Sequence, residues 1–415
     1  MTNTMKTIND IPHLQGVKVL LRVDFNVPIK NGVIKDDFRI RKTLPTIDFL
    51  RNKGARLILV SHIETSDGLV EAGSKEKGVR SLEKKPTLAP VADYLKKKGL
   101  PVTFVKNISS AFAAAEALKD GEMILLENIR ENKGEKDNDR KFAEQLASLA
   151  DIYVNDAFSV SHREHASVCA ITGFLPSYAG LQLEEEVKQL SAAFNPSHPF
   201  LFILGGAKFD TKLPLIQRFS KTADTVFIGG ALANDALKAK GYEVGVSKIS
   251  DGATDISAVV NQPKIMIPVD VVVQNHIEKE VGDIGPIDSI SDSGSKTLAA
   301  LKEKVDAAQF ILWNGPLGVY EKGFTEATEK LAEMIAERTE NSKKQIVKSK
   351  NKKTKGENGG EVRSIVGGGD TLAAIAKLGV EDKFTFVSTG GGAMLDFLAQ
   401  GTLPGIKALE DSKVE

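Results

Sequence analysis

An α/β fold of two Rossmann-like domains, each a parallel sheet covered by helices on both faces and joined by a hinge helix, is predicted by three observations on this chain. Apolar strands alternate with helical patterns throughout, and strands apolar on both faces belong in parallel sheets covered on both sides. At 415 residues the chain is long enough for two separate cores. Four times in the second half an apolar strand runs straight into a glycine cluster that precedes a helical pattern: LFILGG at 201–206, TVFIGG at 225–230, RSIVGGGD at 363–370 and TFVSTGGGA at 385–393.

The elements follow in order. VKVLLRV at 17–23, ARLILVS at 55–61, EMILLEN at 122–128 and DIYVNDA at 151–157 are the strands of the first half. Between them 65–87, rich in Gly, Ser, Lys and Glu, reads as a loop. A helical pattern within 175–199 ends at Asn195-Pro196 and is the candidate hinge. The segment 343–361 is Lys-rich and almost free of apolar residues, and reads as a solvated insertion that loops outward. The expected domains are 1–178, a hinge over 179–198, a second domain over 199–398, and a segment over 399–415 returning to the first.

Composition narrows the function. Basic and acidic residues balance at 55 each, which argues against nucleic-acid or membrane-surface binding, so any anion site must be local. The Lys-rich insertion has no aromatic residue for base stacking. The apolar run 264–273 is too short to span a bilayer, and the first residues lack the apolar stretch of a signal peptide. The single cysteine, Cys169, lies in an apolar stretch and reads as core filler, which suits a reducing cytoplasm.

Each glycine cluster alone is equally an ordinary βα turn. Four of them, with Lys208 and Asp370-Thr371 attached, favour phosphate binding at helix N-termini. In the first half, period two along LLRVDFNVP puts Arg22, Asp24 and Asn26 on one face, a set able to grip a phosphorylated hydroxy acid. Arg39, Arg130, Arg163 and His62 are further candidates, the last three just after apolar strands. One such arginine would read as a partner of a local acid; a cluster at strand ends favours a site.

Taken together, VKVLLRVDFNVP, LLENIR, VNDAFSVSHREHAS, LGGAKFDTK, WNGPLGVYE, SIVGGGDT and VSTGGGA closely resemble the phosphoglycerate kinase family, in order and over nearly the whole chain. The resemblance implies an N-terminal domain for 3-phosphoglycerate, a C-terminal domain for Mg-nucleotide, and a cleft closed by the hinge for in-line transfer. It makes Asp24, Asn26, Arg39, His62, Arg130 and Arg163 acceptor contacts supported by Arg22, with Arg39 stabilising the phosphoryl group in flight. It also gives Lys208 and Lys212 to the nucleotide phosphates, Glu321 to the ribose, and Gly229, Gly230 and Ala231 to the adenine pocket, with Asn314 and Pro316 beside them. Gly368, Gly369, Asp370 and Thr371 would bind phosphates and magnesium, Asp370 being the metal residue, and Gly391 would start the second phosphate-facing helix. A monomer that binds neither nucleic acid nor membrane is implied.

The chain departs from the family pattern in places. The usual SHLGRP reads Ser61-His62-Ile63-Glu64-Thr65, so an arginine is missing at Thr65 and Glu64 brings an opposing charge; Arg80 is a candidate substitute. GTAHR becomes SVSHR and GGAKVSDK becomes GGAKFDTK. Three other readings compete. A nicotinamide-dependent dehydrogenase lacks its GxGxxG here and a P-loop kinase its GxxxxGK[ST], whereas a non-catalytic relative acting as a binding protein is motivated by the altered loop.

Overall fold

The computed structural model describes residues 5–64, 85–207, 209–250, 256–352 and 361–414. The chain divides into two compact units, Met1–Lys188 with Thr402–Glu415, and Gln189–Gly401.

The first unit is built on a parallel sheet of β1 (Lys18–Arg22), β2 (Arg56–Val60), β3 (Val102–Val105), β4 (Met123–Leu126), β5 (Ile152–Asn155) and β6 (Ser177–Ala179), in the order β3-β4-β2-β1-β5-β6. Val19, Leu20, Leu21, Leu57, Ile58 and Leu59 are fully buried, as expected of strands covered on both faces. Helices α1 (Phe38–Asn52), α2 (Ala89–Lys97) and α3 (Arg140–Ala147) belong to this unit. Parallel register sets Arg22 opposite Val60 and Asn155, so the ends of β1, β2 and β5 lie side by side. The strand expected over 17–23 stops at Arg22, and 23–28 is irregular; Asp24 and Asn26 therefore take their places from a loop and not from a pleated face. Helix α4 (Leu181–Ser191) starts over Asp156, whose Oδ1 accepts from the N–H groups of Gln182 (2.9 Å) and Leu183 (3.4 Å). Asp156 is almost fully buried, its Oδ2 has no hydrogen-bond partner among the described residues, and burial pushes its carboxyl up to about 7 against its hydrogen bonds.

In the second unit β7 (Phe200–Leu204), β8 (Thr225–Ile228), β9 (Ile265–Met266), β10 (Phe310–Asn314), β11 (Arg363–Gly367) and β12 (Phe386–Val387) form a parallel sheet in the order β9-β8-β7-β10-β11-β12. Its switch point lies between β7 and β10, where ligand crevices form in doubly wound sheets. The longer helices are α5 (Phe209–Thr222), α6 (Ala231–Ala239), α7 (Ser295–Ala307), α8 (Glu326–Lys352), α9 (Gly369–Leu378) and α10 (Gly391–Gln400). A three-stranded antiparallel sheet, Asp270–Val273, Glu278–Glu280 and Ile290–Ser293, departs from the all-parallel expectation. After Gly401 the chain joins the first unit, where α11 (Pro404–Glu410) is tied by Gly405 N–H to Ser161 O at 2.8 Å.

The outward loop expected over 343–361 is corrected for its first ten residues, which continue α8. Lys and Gln are good helix formers, Glu340 pairs with Lys344 one turn on at 2.8 Å, and Ser342 Oγ accepts from Val362 N–H at 3.1 Å. The expected loop at 65–84 and most of the remaining insertion lie outside the described residues.

Candidate active site

The first unit gathers its arginines at the carboxyl ends of its strands. Arg22, the last residue of β1, is completely buried and donates from Nε to Ser167 Oγ (3.0 Å), from Nη1 to Val23 O (2.5 Å) and from Nη2 to His62 Nδ1 (3.2 Å). Glu135, also fully buried, accepts from the hydroxyl (2.7 Å) and the backbone N–H (2.9 Å) of Ser167, completing a chain behind the surface. Since the guanidinium donates, His62 accepts as a neutral imidazole. Burial, with the charges of Arg22, Arg130, Arg163 and Arg39 around it, holds its pKa well below the ordinary value. Arg22 and His62 thus form a floor under the exposed groups.

On that floor Asp24 accepts from the Ser159 hydroxyl and pairs with Arg39 Nη1 at 3.2 Å. Arg39, on the first turn of α1, also donates to Asn26 O at 3.2 Å. Asn26 Oδ1 accepts the Glu64 N–H at 3.0 Å, and Asn128 brackets Ile63 by accepting its N–H (3.2 Å) and donating to its carbonyl (2.8 Å). Glu64 Oε1 in turn pairs with both Arg130 Nη1 and, at 3.2 Å, Arg163 Nη1. Burial works against that carboxylate, yet the two arginines outweigh it and hold its pKa below the usual range. All seven residues expected here are brought together, two of them as support. Sequence reasoning did not single out Ser159, Ser167, Glu135 or Asn128, which act through residues distant in the chain. Thr65 and Arg80 lie outside the described residues.

The second unit offers a cleft of about 370 Å³ at its switch point. Gly205 N–H donates to Asn314 O at 2.9 Å and Gly206 N–H to Pro316 O at 3.0 Å, zipping the β7 and β10 turns together. Trp313, fully buried, holds the same loop by donating to Gly315 O at 2.9 Å. Gly206, Gly230, Ala231, Pro316, Glu321 and Asp370 all line the cleft. Gly230 sits at φ +60°, and a Cβ there would stand 2.5 Å from Gly206 N, so only glycine lets the β7 and β8 turns approach. Gly229 packs against Leu317 and Phe227 beneath.

Two helix N-termini converge beside this cleft. A Cβ on Gly391, at the start of α10, would lie 3.6 Å from Gly368 Cα and 3.8 Å from Gly369 N, at the start of α9. Unpaired N–H donors and both dipoles are therefore directed to one place, as an anion requires. Lys212 is largely buried, donates to Gly205 O at 2.7 Å, and has its ammonium pulled down to about 8 by burial. Asp370 is exposed, and partial desolvation with the nearby Glu321 charge pushes its carboxyl up. Both groups would gain from a ligand that carries phosphates and a cation.

Two further expected contacts, Thr371 and Asn314, are buried. Thr371 is completely buried and its hydroxyl accepts the Gly315 N–H at 3.1 Å; Asn314 is also buried, with Nδ2 3.5 Å from Met394 Sδ. Both hold the loop in shape from below. Lys208 lies outside the described residues. Lys248, Pro268, Ser289 and Ser291 also line the cleft, three of them on or beside the antiparallel sheet that sequence periodicity did not announce.

The model of the phosphoglycerate kinase family matches residues 8–401. Over 425 residues the chain is 40% identical to the phosphoglycerate kinase of Dictyoglomus turgidum, covering 98% of this chain and 99% of that one. It is 40% identical over 419 residues to that of a Caulobacter species, covering 97% and 98%. Among solved structures, phosphoglycerate kinase from Coxiella burnetii superposes with a TM-score of 0.76 at 33% identity, and that from Pyrococcus horikoshii with 0.78 at 28%; each covers 98% of this chain and 99% of the other.

Proposed function

The chain belongs to the phosphoglycerate kinase family, and on that premise we propose how its residues divide the work of phosphoryl transfer between 1,3-bisphosphoglycerate plus ADP and 3-phosphoglycerate plus ATP. It is a phosphotransferase whose acceptor is a carboxylate. That group is ionised at pH 7, so no general base is needed, and the transition state asks only for alignment and charge neutralisation. In the ATP-consuming direction a carboxylate oxygen forms the new bond to the γ-phosphorus while the bridging oxygen leaves with ADP.

The observation that carries the residue assignment is the convergence of the Gly368 and Gly391 helix starts, with Asp370 on the first turn of α9 lining the cleft and Lys212 held at the Gly205 carbonyl behind Gly206. In this reading the helix N-termini take the nucleotide phosphates, and Lys212, with Lys208, balances their charge. Gly229, Gly230 and Ala231 floor the base, and Glu321 holds the ribose. Among the described residues no group of three or more His, Cys, Asp or Glu could hold a metal alone. An ion carried in by nucleotide phosphates and joined by the single Asp370 carboxylate fits that donor set and suits Mg²⁺. When bound, Mg²⁺ would neutralise phosphate charge. Asp24, Asn26, Arg130 and Arg163 grip the acceptor over the Arg22–His62 floor, and Arg39 meets the charge of the moving phosphoryl group. Residues 179–198 serve as the hinge that lets acceptor and donor meet.

The enzyme is read as a cytoplasmic monomer acting on small molecules alone. Its single cysteine suits a reducing compartment, and among the described residues no helix is long and apolar enough to cross a membrane. Steady-state kinetics of two variants test the assignment. Arg163→Ala should raise KM for 3-phosphoglycerate and leave KM for ATP alone, and Asp370→Asn the reverse. Loss of both specificities in either variant would overturn it.

A further inference from the structure

The Arg130–Glu64–Arg163 cluster carries an inference that rests on the acceptor-site reading above and goes beyond it. The turn bearing Glu64 is fixed from both sides, by Asn26 accepting its N–H at 3.0 Å and by Asn128 bonded to Ile63 at 3.2 and 2.8 Å. Its carboxylate is thereby aimed at two cations, and one oxygen bridges both guanidiniums. The other guanidinium atoms of Arg130, Nε and Nη2, are buried without a hydrogen-bond partner among the described residues, and the side chain is only 4% exposed. A single bridging oxygen leaves this cation half satisfied. The Glu64 side chain is 47% exposed and can swing into water.

We propose that Glu64 is an internal competitor for the anionic group of the acceptor: it holds Arg130 and Arg163 when no acceptor is bound and is expelled each time a phosphorylated acid enters. A phosphate with three oxygens can serve both guanidinium forks, which a carboxylate using one oxygen does not, so exchange favours the substrate. Glu64 therefore sets a lower affinity for the acceptor than the arginines alone would give, and it discriminates against acids whose distal group cannot outbid a carboxylate.

Calorimetric titration of the full chain with 3-phosphoglycerate, and separately with ADP, tests this in the wild type, Glu64→Gln, Arg163→Ala and the double variant. Glu64→Gln should tighten 3-phosphoglycerate binding about fivefold, the size expected of a half-exposed charge pair, and leave ADP binding unchanged. The gain should shrink when Arg163 is also absent. Unchanged or weaker acceptor binding in Glu64→Gln, with Arg163→Ala still damaging, would overturn the competitor role while leaving the acceptor site standing. Unchanged acceptor binding in Arg163→Ala would overturn the site reading and the proposal with it. Glu64→Ala repeats the test should the amide form new bonds.

Discussion

Arg39 is partly exposed and held by Asp24 at 3.2 Å and Asn26 O at 3.2 Å, positioned before any substrate arrives. Preorganised charge of this kind acts most strongly where charge moves, so Arg39→Ala should lower kcat about 100-fold or more and change KM for 3-phosphoglycerate far less. Steady-state kinetics check it, and an unchanged kcat removes Arg39 from the reacting centre. Lys212 offers a pH signature. Its ammonium, pulled down to about 8 by burial, is charged below that pH and neutral above it. ADP affinity should therefore fall between pH 7 and 9, and the slope should flatten in Lys212→Met; calorimetry at three pH values decides. Asp156 makes the opposite kind of prediction, about stability. With its carboxyl raised to about 7 in the folded chain and ordinary in the unfolded one, the native state holds the extra proton between about pH 4 and 7. Stability from this group is full below that window and falls by at most about 4 kcal/mol as pH rises through it. Asp156→Asn removes the titration, so the difference in Tm between pH 5 and pH 8 should be smaller than in the wild type, and an identical difference would contradict the burial argument. Arg130 and Arg163 were legible because they follow apolar strands. Ser159 and Ser167 were not, because a supporting hydrogen bond across more than a hundred residues, such as Arg22 to Ser167, leaves no local pattern; nor was Glu135, whose partner Ser167 lies 32 residues on.

The strand-glycine-helix turns are the elements that the sequence announced most clearly, because a run of buried β-branched and aromatic residues ending in glycine has few other uses. What it concealed is how the turns lock together. Gly368, at φ +107°, lets α9 begin beside the β10 turn, where a Cβ would be 3.2 Å from Gly315 N. Gly368→Ala forces a conformation that side chains rarely adopt; it should cost about 1–3 kcal/mol in stability and weaken ADP binding more than 3-phosphoglycerate binding. Urea unfolding and the two titrations check both halves. Helix α8 shows the limit of compositional reading. A Lys-rich stretch resembles a solvated loop, yet the same residues are good helix formers, and Ser342 anchors the helix to Val362 at 3.1 Å. The antiparallel strands were missed for a related reason: Pro268 interrupts the apolar run at 264–273, and the two pieces join different sheets.

For the whole molecule, two parallel sheets of six strands place each set of candidate site residues at carboxyl strand ends, one set rich in arginine and the other in glycine. Alternation of strands and helices made that architecture readable, and motifs spread between residues 17 and 393 made the family readable. The strand order was not, since it depends on which edges meet in space. In the ATP-consuming direction the enzyme moves a phosphoryl group onto a carboxylate. Incubation with ATP, Mg²⁺ and 3-phosphoglycerate in the presence of hydroxylamine tests this most directly, because hydroxylamine converts an acyl phosphate to a hydroxamate and leaves a phosphate ester untouched. ADP formation should require 3-phosphoglycerate and be matched mole for mole by hydroxamate. ADP without hydroxamate, or no turnover at all, would contradict it.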